Sequence, residues 1–200
     1  MRRVGLLGGA FNPPHVGHLK LARLALELLA LDELRIVPTA LSPHKATMAP
    51  AAPARLGLLE AALAGTPFRV EPLKLDRGGV SYTEDTLEAL ALREPSCAWI
   101  LVMGMDQAAG LPGWRRIDRI WELASVAAAL RPGEADPPAG LFPSRRRAAW
   151  SGAPGELVRL PGTDLDLSST ALREKLRSGG LPEGLPPQVL AAIRKENLYR

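Results

Sequence analysis

Short apolar runs alternate with helix-like patterns along the first 160 residues, and this alternation restricts the chain to few fold classes. Strands are predicted at residues 3–7, 34–38, 68–71, 98–104, 125–130 and 156–161. Helices are predicted at residues 17–31, 54–64, 83–92, 117–123, 168–177 and 187–197. The run AWILVMG (98–104) is apolar almost throughout, which is typical of a strand buried on both faces. The spacing predicts an α/β fold with a mostly parallel sheet and helices on both of its faces.

The last part of the chain has a different pattern. Two predicted helices follow the last strand, so we expect one domain over residues 1–200, with a core at 1–160 and a small C-terminal helical part at 161–200. A chain of 200 residues with 46% hydrophobic residues can bury one sizeable core. The segment RPGEADPPAGLFPSRRR (131–147) is predicted to be a long surface loop, because proline, glycine and arginine dominate it.

Charge and cysteine content narrow the partners and the compartment. The net charge of +4 and the pI of about 9.6 favour anionic partners such as nucleotides. The single cysteine, Cys97, excludes a disulfide framework and a cysteine-based zinc site, and it fits a reducing cytoplasm. The apolar run behind Arg2 and Arg3 ends at Gly8, and no run approaches the ~18 apolar residues that cross a bilayer. We therefore expect a cytoplasmic protein without a membrane partner.

The segment GGAFNPPHVGH (8–18) joins the first predicted strand to the first predicted helix. Ligands of open parallel sheets bind beyond the carboxyl ends of the strands, where Gly8 and Gly9 would let the backbone approach a ligand closely. The helix start adds unpaired N–H groups and the positive end of the helix dipole. His15 and His18 lie three positions apart, so both can face the same bound group. The combination favours a nucleotide-phosphate site, while histidines that only cap the helix remain an alternative.

Other phosphate and metal sites fit the sequence less well. The chain has no GxxxxGK followed by Ser or Thr, which excludes a P-loop, and no GxGxxG follows the first strand. A zinc site is a weaker alternative, because the only further histidine is His44.

The same segment resembles the motif G-G-S/T-F-D/N-P-x-H-x-G-H of bacterial nicotinate-nucleotide adenylyltransferases, a branch of the nucleotidylyltransferase superfamily. The resemblance implies a Rossmann-like fold. It also implies transfer of AMP from ATP to nicotinate mononucleotide, with deamido-NAD and pyrophosphate as products and Mg²⁺ carried with ATP. The chain departs from the usual pattern at Ala10, where Ser or Thr is commoner, at Asn12, where Asp is frequent, and at Gln107, where Ser is usual.

Further segments resemble the family in the expected order. They are SPHK (42–45), SYTEDTL (81–87), VMGMDQ (102–107), LPGWRRI (111–117), LRPGE (130–134), LSSTALREKL (167–176) and ENLYR (196–200). The resemblance therefore extends over nearly the whole chain. The Tyr-Thr, Trp and Arg-Pro-Gly segments narrow it to the nicotinate branch of the superfamily.

The resemblance implies three sets of site residues. The catalytic set is His15, His18 and Arg173. The ATP-binding set is Gly8, Gly9, Ala10, Phe11, Gly17, Gly104, Asp106, Ser168, Ser169 and Thr170. The set that binds the second substrate is Asn12, Lys45, Tyr82, Thr83, Trp114 and Arg131. We expect His18 to contact the α-phosphate of ATP, and His15, Lys45 and Arg173 to contact the β- and γ-phosphates. No side chain is expected to hold a metal ion.

Each motif also has a purely structural explanation. Thr83 is expected to cap one helix, and Ser168 or Ser169 another. Asp106 fits a helix N-cap as well as it fits a ribose ligand, and Trp114 fits half-buried packing under a loop.

Two other functions stay open. A related adenylyltransferase, with nicotinamide mononucleotide or pantetheine phosphate as acceptor, would share the histidine and Ser-Ser-Thr motifs. A noncatalytic nucleic-acid-binding protein would fit the high pI and the run SRRR (144–147), which otherwise suits a solvated loop or a lid over anionic substrates. The few aromatic residues disfavour base stacking, so no nucleic-acid partner is expected. The oligomeric state is open, and a homo-oligomer is compatible with the sequence.

Overall fold

One parallel sheet forms the centre of the protein. The structure is a computed structural model that describes residues 1–39, 50–77, 82–130, 142–162 and 167–200. Its strands are β1 (Arg2–Gly9), β2 (Glu33–Pro38), β3 (Arg69–Val70), β4 (Cys97–Gly104), β5 (Ala124–Ala129), β6 (Arg146–Arg147) and β7 (Leu157–Leu160). The strand order across the sheet is β3-β2-β1-β4-β5-β7-β6, and every neighbouring pair is parallel.

Helices connect most of these strands. They are α1 (Val16–Leu28), α2 (Ala52–Leu63), α3 (Leu73–Arg77), α4 (Thr83–Arg93), α5 (Met105–Ala109), α6 (Ile117–Leu123), α7 (Ser169–Arg177) and α8 (Pro187–Lys195). Short 3₁₀ turns lie at Leu111–Gly113 and Pro143–Arg145. In the described part of the chain, no helix is both long enough and apolar enough to cross a membrane.

The alternating pattern predicted from the sequence is confirmed. Each predicted strand and helix is present, and most ends shift by only a few residues. The first helix was predicted to reach residue 31 but ends at Leu28, because Ala30 adopts a left-handed φ of 47° and the chain turns towards β2. The third strand shrinks to Arg69–Val70, since it pairs only with β2 at the edge of the sheet. The elements α3, α5 and β6 were not predicted, because they are too short to show a period.

Alternate residues of the central strands face two separate apolar layers. On β4, Ile100 and Val102 face the layer that α1 and α2 cover, whereas Trp99 and Leu101 face the layer beneath α4, α5 and α6. All four side chains are buried. The run AWILVMG is therefore a two-sided core strand, as its lack of polar positions predicted.

The C-terminal helices extend this core on one side. α8 packs against α2, where Val189 and Ile193 form a small apolar cluster with Leu58 and Ala62. Tyr199, the penultimate residue, belongs to the same cluster. The end of the chain thereby lies close to the loop that follows β1, where the Tyr199 hydroxyl donates to Oδ1 of Asn12.

The arginine run at residues 144–147 is not a free loop. Arg146 and Arg147 form β6, and Arg146 lies opposite Leu157, the first residue of β7. The Arg145 guanidinium lies over the Trp121 ring at 4.9 Å from the ring centroid. These contacts lie at the amino ends of parallel strands, so they disfavour the alternative that SRRR is a lid over a ligand at the carboxyl ends. Residues 131–141 of the predicted loop lie outside the described ranges.

Candidate active site

The strand order reverses between β1 and β4, and this reversal marks the crevice of the sheet. Leu7 lies opposite Val102, so the ends of the two strands at Gly9 and Gly104 come side by side. Open parallel sheets bind ligands in the crevice beyond such a reversal. The two predicted ATP-binding segments around Gly9 and Gly104 therefore meet at the carboxyl ends of neighbouring strands.

The histidine pair lies at the first turn of α1. His15 is the N-cap residue, and its backbone N–H donates to Nδ1 of His18 over 3.2 Å. The two imidazole rings stack with their centroids 3.7 Å apart, and the Phe11 ring packs edge-on against His18 with centroids 4.9 Å apart. The alternative that the histidines cap the helix is thus correct for one atom, Nδ1 of His18. Because Nδ1 is the acceptor in this bond, Nε2 carries the ring proton and is the nitrogen that can donate to a phosphate oxygen.

Glycines leave the space that these rings occupy. A Cβ atom at Gly17 would lie 2.9 Å from Nδ1 of His15, and one at Gly9 would lie 3.1 Å from the Phe11 ring. A Cβ at Gly8 would meet no atom within 4 Å, so the space above it is open to a ligand. Two of the glycines are therefore needed for packing, while Gly8 lets a ligand approach the backbone.

The start of α7 is bound to the same loop. Arg173 donates from Nη1 to the Asn12 carbonyl over 2.8 Å and from Nη2 to Oγ1 of Thr170 over 3.1 Å. Ser169 donates from Oγ to the Pro13 carbonyl over 3.1 Å. The structure thereby joins the histidine loop, which is residues 10–15 between β1 and α1, to the Ser-Ser-Thr start of α7, about 150 residues further along the chain. The result is a group of N–H and O–H donors at one edge of the sheet, which suits phosphate oxygens.

Two residues that the sequence analysis missed also hold this loop. Arg55 of α2 donates from Nη1 to the Ala10 carbonyl over 2.9 Å, and the Tyr199 hydroxyl donates to Oδ1 of Asn12 over 2.6 Å. Both side chains are buried. Burial also raises the pKa of Tyr199, which keeps the phenol protonated as a donor. Nothing in the sequence around Arg55 indicates its contact, whereas the ENLYR match pointed to Tyr199 without giving it a role.

Three side chains of predicted site residues are buried at this loop, those of His15, which is 5% exposed, Asn12 and Phe11. Asn12 is only 4% exposed, and its amide oxygen is engaged by Tyr199. Phe11 adopts a left-handed φ of 45° and lies in the core against His18. The structure therefore does not support a substrate contact through the Asn12 side chain, because that side chain faces the C-terminal part of the chain. The backbone groups of Asn12 and Phe11 stay at the loop.

The two predicted helix caps have different outcomes. Ser168 is the N-cap of α7, and its Oγ accepts from the Ala171 backbone N–H over 3.2 Å, as predicted. The predicted cap by Thr83 is wrong, because Tyr82 is the N-cap of α4 and Thr83 is its first helical residue. The first N–H groups of α4 are consequently not occupied by a capping side chain from Tyr82.

One arginine connects the two segments predicted to bind the pyridine ring. Arg115 lies over the Tyr82 ring at 4.0 Å from its centroid, donates from Nη2 to Oδ1 of Asp85 over 2.6 Å, and donates from Nε to Glu84. Its neighbour Trp114 is half-buried against the apolar layer beneath α6. Arg115 thereby holds the Trp114 turn against the start of α4.

A buried lysine lies near these carboxylates. Lys74 belongs to α3, and burial lowers its pKa to about 8, while the negative charges of Glu84 and Asp85 act in the opposite direction. The sequence does not indicate a role for this residue, since the helix that carries it is too short to be recognised by its pattern.

Asp106 lies beyond the carboxyl end of β4. Gly104 is the N-cap of the short helix α5, so the alternative that Asp106 is the cap is wrong. A Cβ atom at Gly104 would lie 2.5 Å from Oδ1 of Asp106, which shows that the exposed carboxylate folds back over Gly104. From there it borders the crevice and could accept hydrogen bonds from a ribose.

Some predictions lie outside what the structure tests. Lys45 and Arg131 fall in residues 40–49 and 131–141, which lie outside the described ranges. In the parts of the chain that are described, no group of three or more His, Cys, Asp and Glu side chains could hold a metal ion. The absence of a protein metal ligand therefore stays a prediction.

Comparison with known proteins identifies the family of the chain. The model of the cytidylyltransferase-like family matches residues 6–175. A protein of Methylibium petroleiphilum, described as "Probable nicotinate-nucleotide adenylyltransferase", is 37% identical over 193 residues, which are 96% of this chain and 87% of that protein. A protein of Hydrogenovibrio crunogenus with the same description is 37% identical over 205 residues, which are 100% of this chain and 98% of that protein.

A solved structure shares the fold at low sequence identity. The Plasmodium falciparum nicotinic acid mononucleotide adenylyltransferase complexed with NaAD gives a TM-score of 0.82 at 15% identity, with 100% of this chain and 98% of that chain covered. This likeness concerns the fold, and it agrees with the Rossmann-like nucleotidylyltransferase fold that the motifs predicted. Together with the family match and the full-length relatives, these observations show that the chain belongs to the cytidylyltransferase-like family and, within it, to the nicotinate-nucleotide adenylyltransferases.

Proposed function

We propose that this protein, in the cytoplasm, transfers AMP from ATP to nicotinate mononucleotide, with deamido-NAD and pyrophosphate as products. The observation that carries the proposal is the hydrogen bond of 2.8 Å from Arg173 Nη1 to the Asn12 carbonyl. It brings the start of α7 to the histidine loop, so donors from both ends of the chain face one crevice. The descriptions of the bacterial relatives support the same acceptor.

The reaction is a direct displacement at phosphorus. A phosphate oxygen of nicotinate mononucleotide attacks the α-phosphorus of ATP, the bond from that phosphorus to the bridging oxygen breaks, and pyrophosphate leaves. The attacking phosphate is already an anion, so no strong general base is needed. The chain therefore acts by holding two phosphorylated substrates in line and by stabilising negative charge.

Each element around the crevice has a role in this reaction. His18 donates from Nε2 to an α-phosphate oxygen as charge grows there. The N-terminus of α1 lies beside the same group and adds the positive end of its dipole. His15, Arg173 and the hydroxyls of Ser168 and Thr170 hold the β- and γ-phosphates, and Lys45 approaches them from the loop after β2. The Ser169 hydroxyl donates to the Pro13 carbonyl, so Ser169 offers its backbone N–H at the start of α7. Asp106 accepts hydrogen bonds from a ribose.

Mg²⁺ belongs to the substrate in this proposal. The residues that the structure gathers at the histidine loop are mostly cations and N–H or O–H donors, which suit phosphate oxygens better than they suit a divalent cation. Mg²⁺ bound to the ATP phosphates supplies charge neutralisation of the leaving pyrophosphate.

The start of α4 would receive the acceptor. Its first N–H groups could bind the carboxylate of the nicotinate ring, and Trp114 could stack on the ring. Glu84 and Asp85 lie in the same first turn and would repel that carboxylate. Arg115 forms hydrogen bonds with both of them, which offsets this repulsion and supports an acidic acceptor.

The first test is pyrophosphate release from ATP and Mg²⁺ with nicotinate mononucleotide, nicotinamide mononucleotide or pantetheine phosphate as acceptor. We expect release with the nicotinate compound at a kcat/KM at least tenfold above the others, because their acceptor groups lack the ring carboxylate. A preference for another acceptor would contradict the role of the α4 start but retain the role of the histidines. Absence of release with all three would contradict the proposal.

Replacing Gly17 by alanine should show whether turnover depends on the position of the His15 ring, independently of the stability of α1. In Gly17→Ala the new methyl group would lie 2.9 Å from Nδ1 of His15, so the His15 ring must move. We expect kcat to fall at least tenfold, on the scale of losing a positioned donor. The free energy of unfolding should change by less than about 1 kcal/mol, because the higher helix propensity of alanine opposes the cost of moving the His15 ring. Steady-state kinetics and thermal unfolding measure the two effects.

Gly57→Ala is the matched control. Gly57 lies inside α2, and a Cβ atom there would meet no atom within 4 Å. This variant should gain roughly 0.5–1 kcal/mol of stability at unchanged kcat. Equal kcat values for the two alanine variants would show that the space at Gly17 is not needed for turnover.

A further inference from the structure

The last residues of the chain form a turn that hydrogen bonds and packing hold in place. After α8, Asn197 and Tyr199 adopt left-handed φ angles of 54° and 64°. Asparagine adopts this conformation readily after a helix end, whereas in tyrosine it costs of order 1–2 kcal/mol, so contacts must hold Tyr199. Leu198 donates its N–H to the Ile193 carbonyl over 3.0 Å, and the Tyr199 side chain is only 8% exposed. The ending is therefore docked rather than frayed.

The docked tyrosine reaches the histidine loop. The Tyr199 hydroxyl donates to Oδ1 of Asn12 over 2.6 Å, and this bond is buried. The Asn12 carbonyl accepts from Arg173 over 2.8 Å, and the Ala10 carbonyl accepts from Arg55 over 2.9 Å. Side chains from α2, from α7 and from the C-terminus therefore fix three acceptors within residues 10–12.

Of these three donors, Tyr199 contacts the side chain of Asn12. Arg55 and Arg173 bind backbone carbonyls, which any residue would provide. If the Tyr199 hydroxyl were absent, Oδ1 of Asn12 would stay buried without this donor, at a cost of about 1–3 kcal/mol. The loop would then gain by moving Asn12, which is three residues from His15.

We propose that Tyr199 is a positioning residue for adenylyl transfer, which holds Asn12 and thereby fixes the placement of His15 and His18. The inference rests on the proposed function. It also gives a physical reason for Asn12 in a position where aspartate is frequent. The position has to supply an oxygen acceptor for the Tyr199 hydroxyl, and an amide or a carboxylate can do so.

The test removes only the hydroxyl. Tyr199→Phe should lower kcat about tenfold and leave the KM for both substrates within about twofold, because misplaced histidines weaken transition-state contacts more than ground-state binding. In an Asn12→Ala background, the same change should have no further effect on kcat. In an Asn12→Asp background, which keeps an acceptor, the tenfold effect should return.

A matched control separates positioning from loss of stability. Ser125 is fully buried at the amino end of β5, where its hydroxyl donates to the Ala153 carbonyl over 2.8 Å and accepts from the Glu156 N–H over 2.9 Å. Ser125→Ala should lose comparable stability at unchanged kcat. Amide exchange of residues 10–12 and of His15 should accelerate in Tyr199→Phe and not in Ser125→Ala.

The outcomes distinguish this inference from the proposed function. A wild-type protein without turnover would count against the function, and amide exchange would then decide on Tyr199 alone. Turnover of Tyr199→Phe within twofold of wild type would overturn the inference, as would an equal loss of kcat with and without the Asn12 side chain. Unchanged amide exchange at residues 10–12 and His15 would overturn it too.

Discussion

His18→Asn is expected to lower kcat by about 10²–10³-fold, the scale for losing one preorganised donor. The midpoint of thermal unfolding should stay within about 2 °C of wild type, which corresponds to less than about 1 kcal/mol in a chain of this size. The reason lies in the two nitrogens of the His18 ring. Nδ1 caps α1 by accepting from the His15 N–H over 3.2 Å, and Nε2 is the donor for the α-phosphate. An asparagine oxygen can take over the cap, but the side chain is too short to supply the donor.

His18→Ala is the companion variant. It removes the cap and the donor together, so it should lose kcat to the same extent and about 1 kcal/mol of stability as well. Steady-state kinetics with ATP and nicotinate mononucleotide, together with thermal unfolding, measure both quantities. If His18→Asn kept near-normal turnover, His18 would be a helix cap without a role in catalysis.

Arg35→Met is expected to reduce the free energy of unfolding by about 3–5 kcal/mol, the cost of removing one partner from a buried ion pair. The midpoint of thermal unfolding should fall by roughly 10 °C. Arg35 is buried on β2 and donates to Glu94 over 2.6 Å and 2.7 Å, to Glu33 over 3.0 Å and to Glu71 over 3.3 Å. Its guanidinium also lies over the Trp99 ring, 5.5 Å from the centroid. The variant would leave these carboxylates without their central cation.

The same network gives the expected pH dependence. Hydrogen bonds from Arg35 lower the pKa of Glu94 from 4.5 to about 2. A carboxylate whose pKa is lower in the folded state stabilises the protein above its unfolded pKa, and this stabilisation is lost as the pH falls through the folded pKa. Wild-type stability should therefore decline between pH 4.5 and about pH 2. Arg35→Met should show a weaker decline in that interval.

Arg2→Met is the control for the network. Arg2 donates to Glu33 over 2.7 Å, but its side chain is 48% exposed, so the loss should be at most about 1 kcal/mol. Chemical denaturation of the three proteins at neutral and acidic pH measures these differences. Equal stabilities of the two methionine variants would contradict a structural role for the buried position of Arg35.

Local patterns predicted the elements well, and contacts between distant segments account for the errors. The apolar residues Ile117, Ile120 and Trp121 recur at helical spacing, and α6 spans Ile117–Leu123 as predicted. The expected Thr83 cap was wrong, since the choice between Tyr82 and Thr83 depends on how the chain enters α4. Arg146 and Arg147 looked like loop residues, because pairing with β7 leaves no mark on a run of three arginines.

The sequence by itself determined the alternation of strands and helices, the two-sided core strand β4, and the family, because these depend on periods and motifs within short segments. Only the tertiary structure decided which groups fix the histidine loop. The Arg55, Arg173 and Tyr199 side chains reach it from elements far along the chain, and the Asn12 side chain turns inward to meet one of them. The physical reason is that the packing of α2, α7 and α8 near the carboxyl end of β1 sets the distances from these side chains to the loop. No local sequence pattern records such distances.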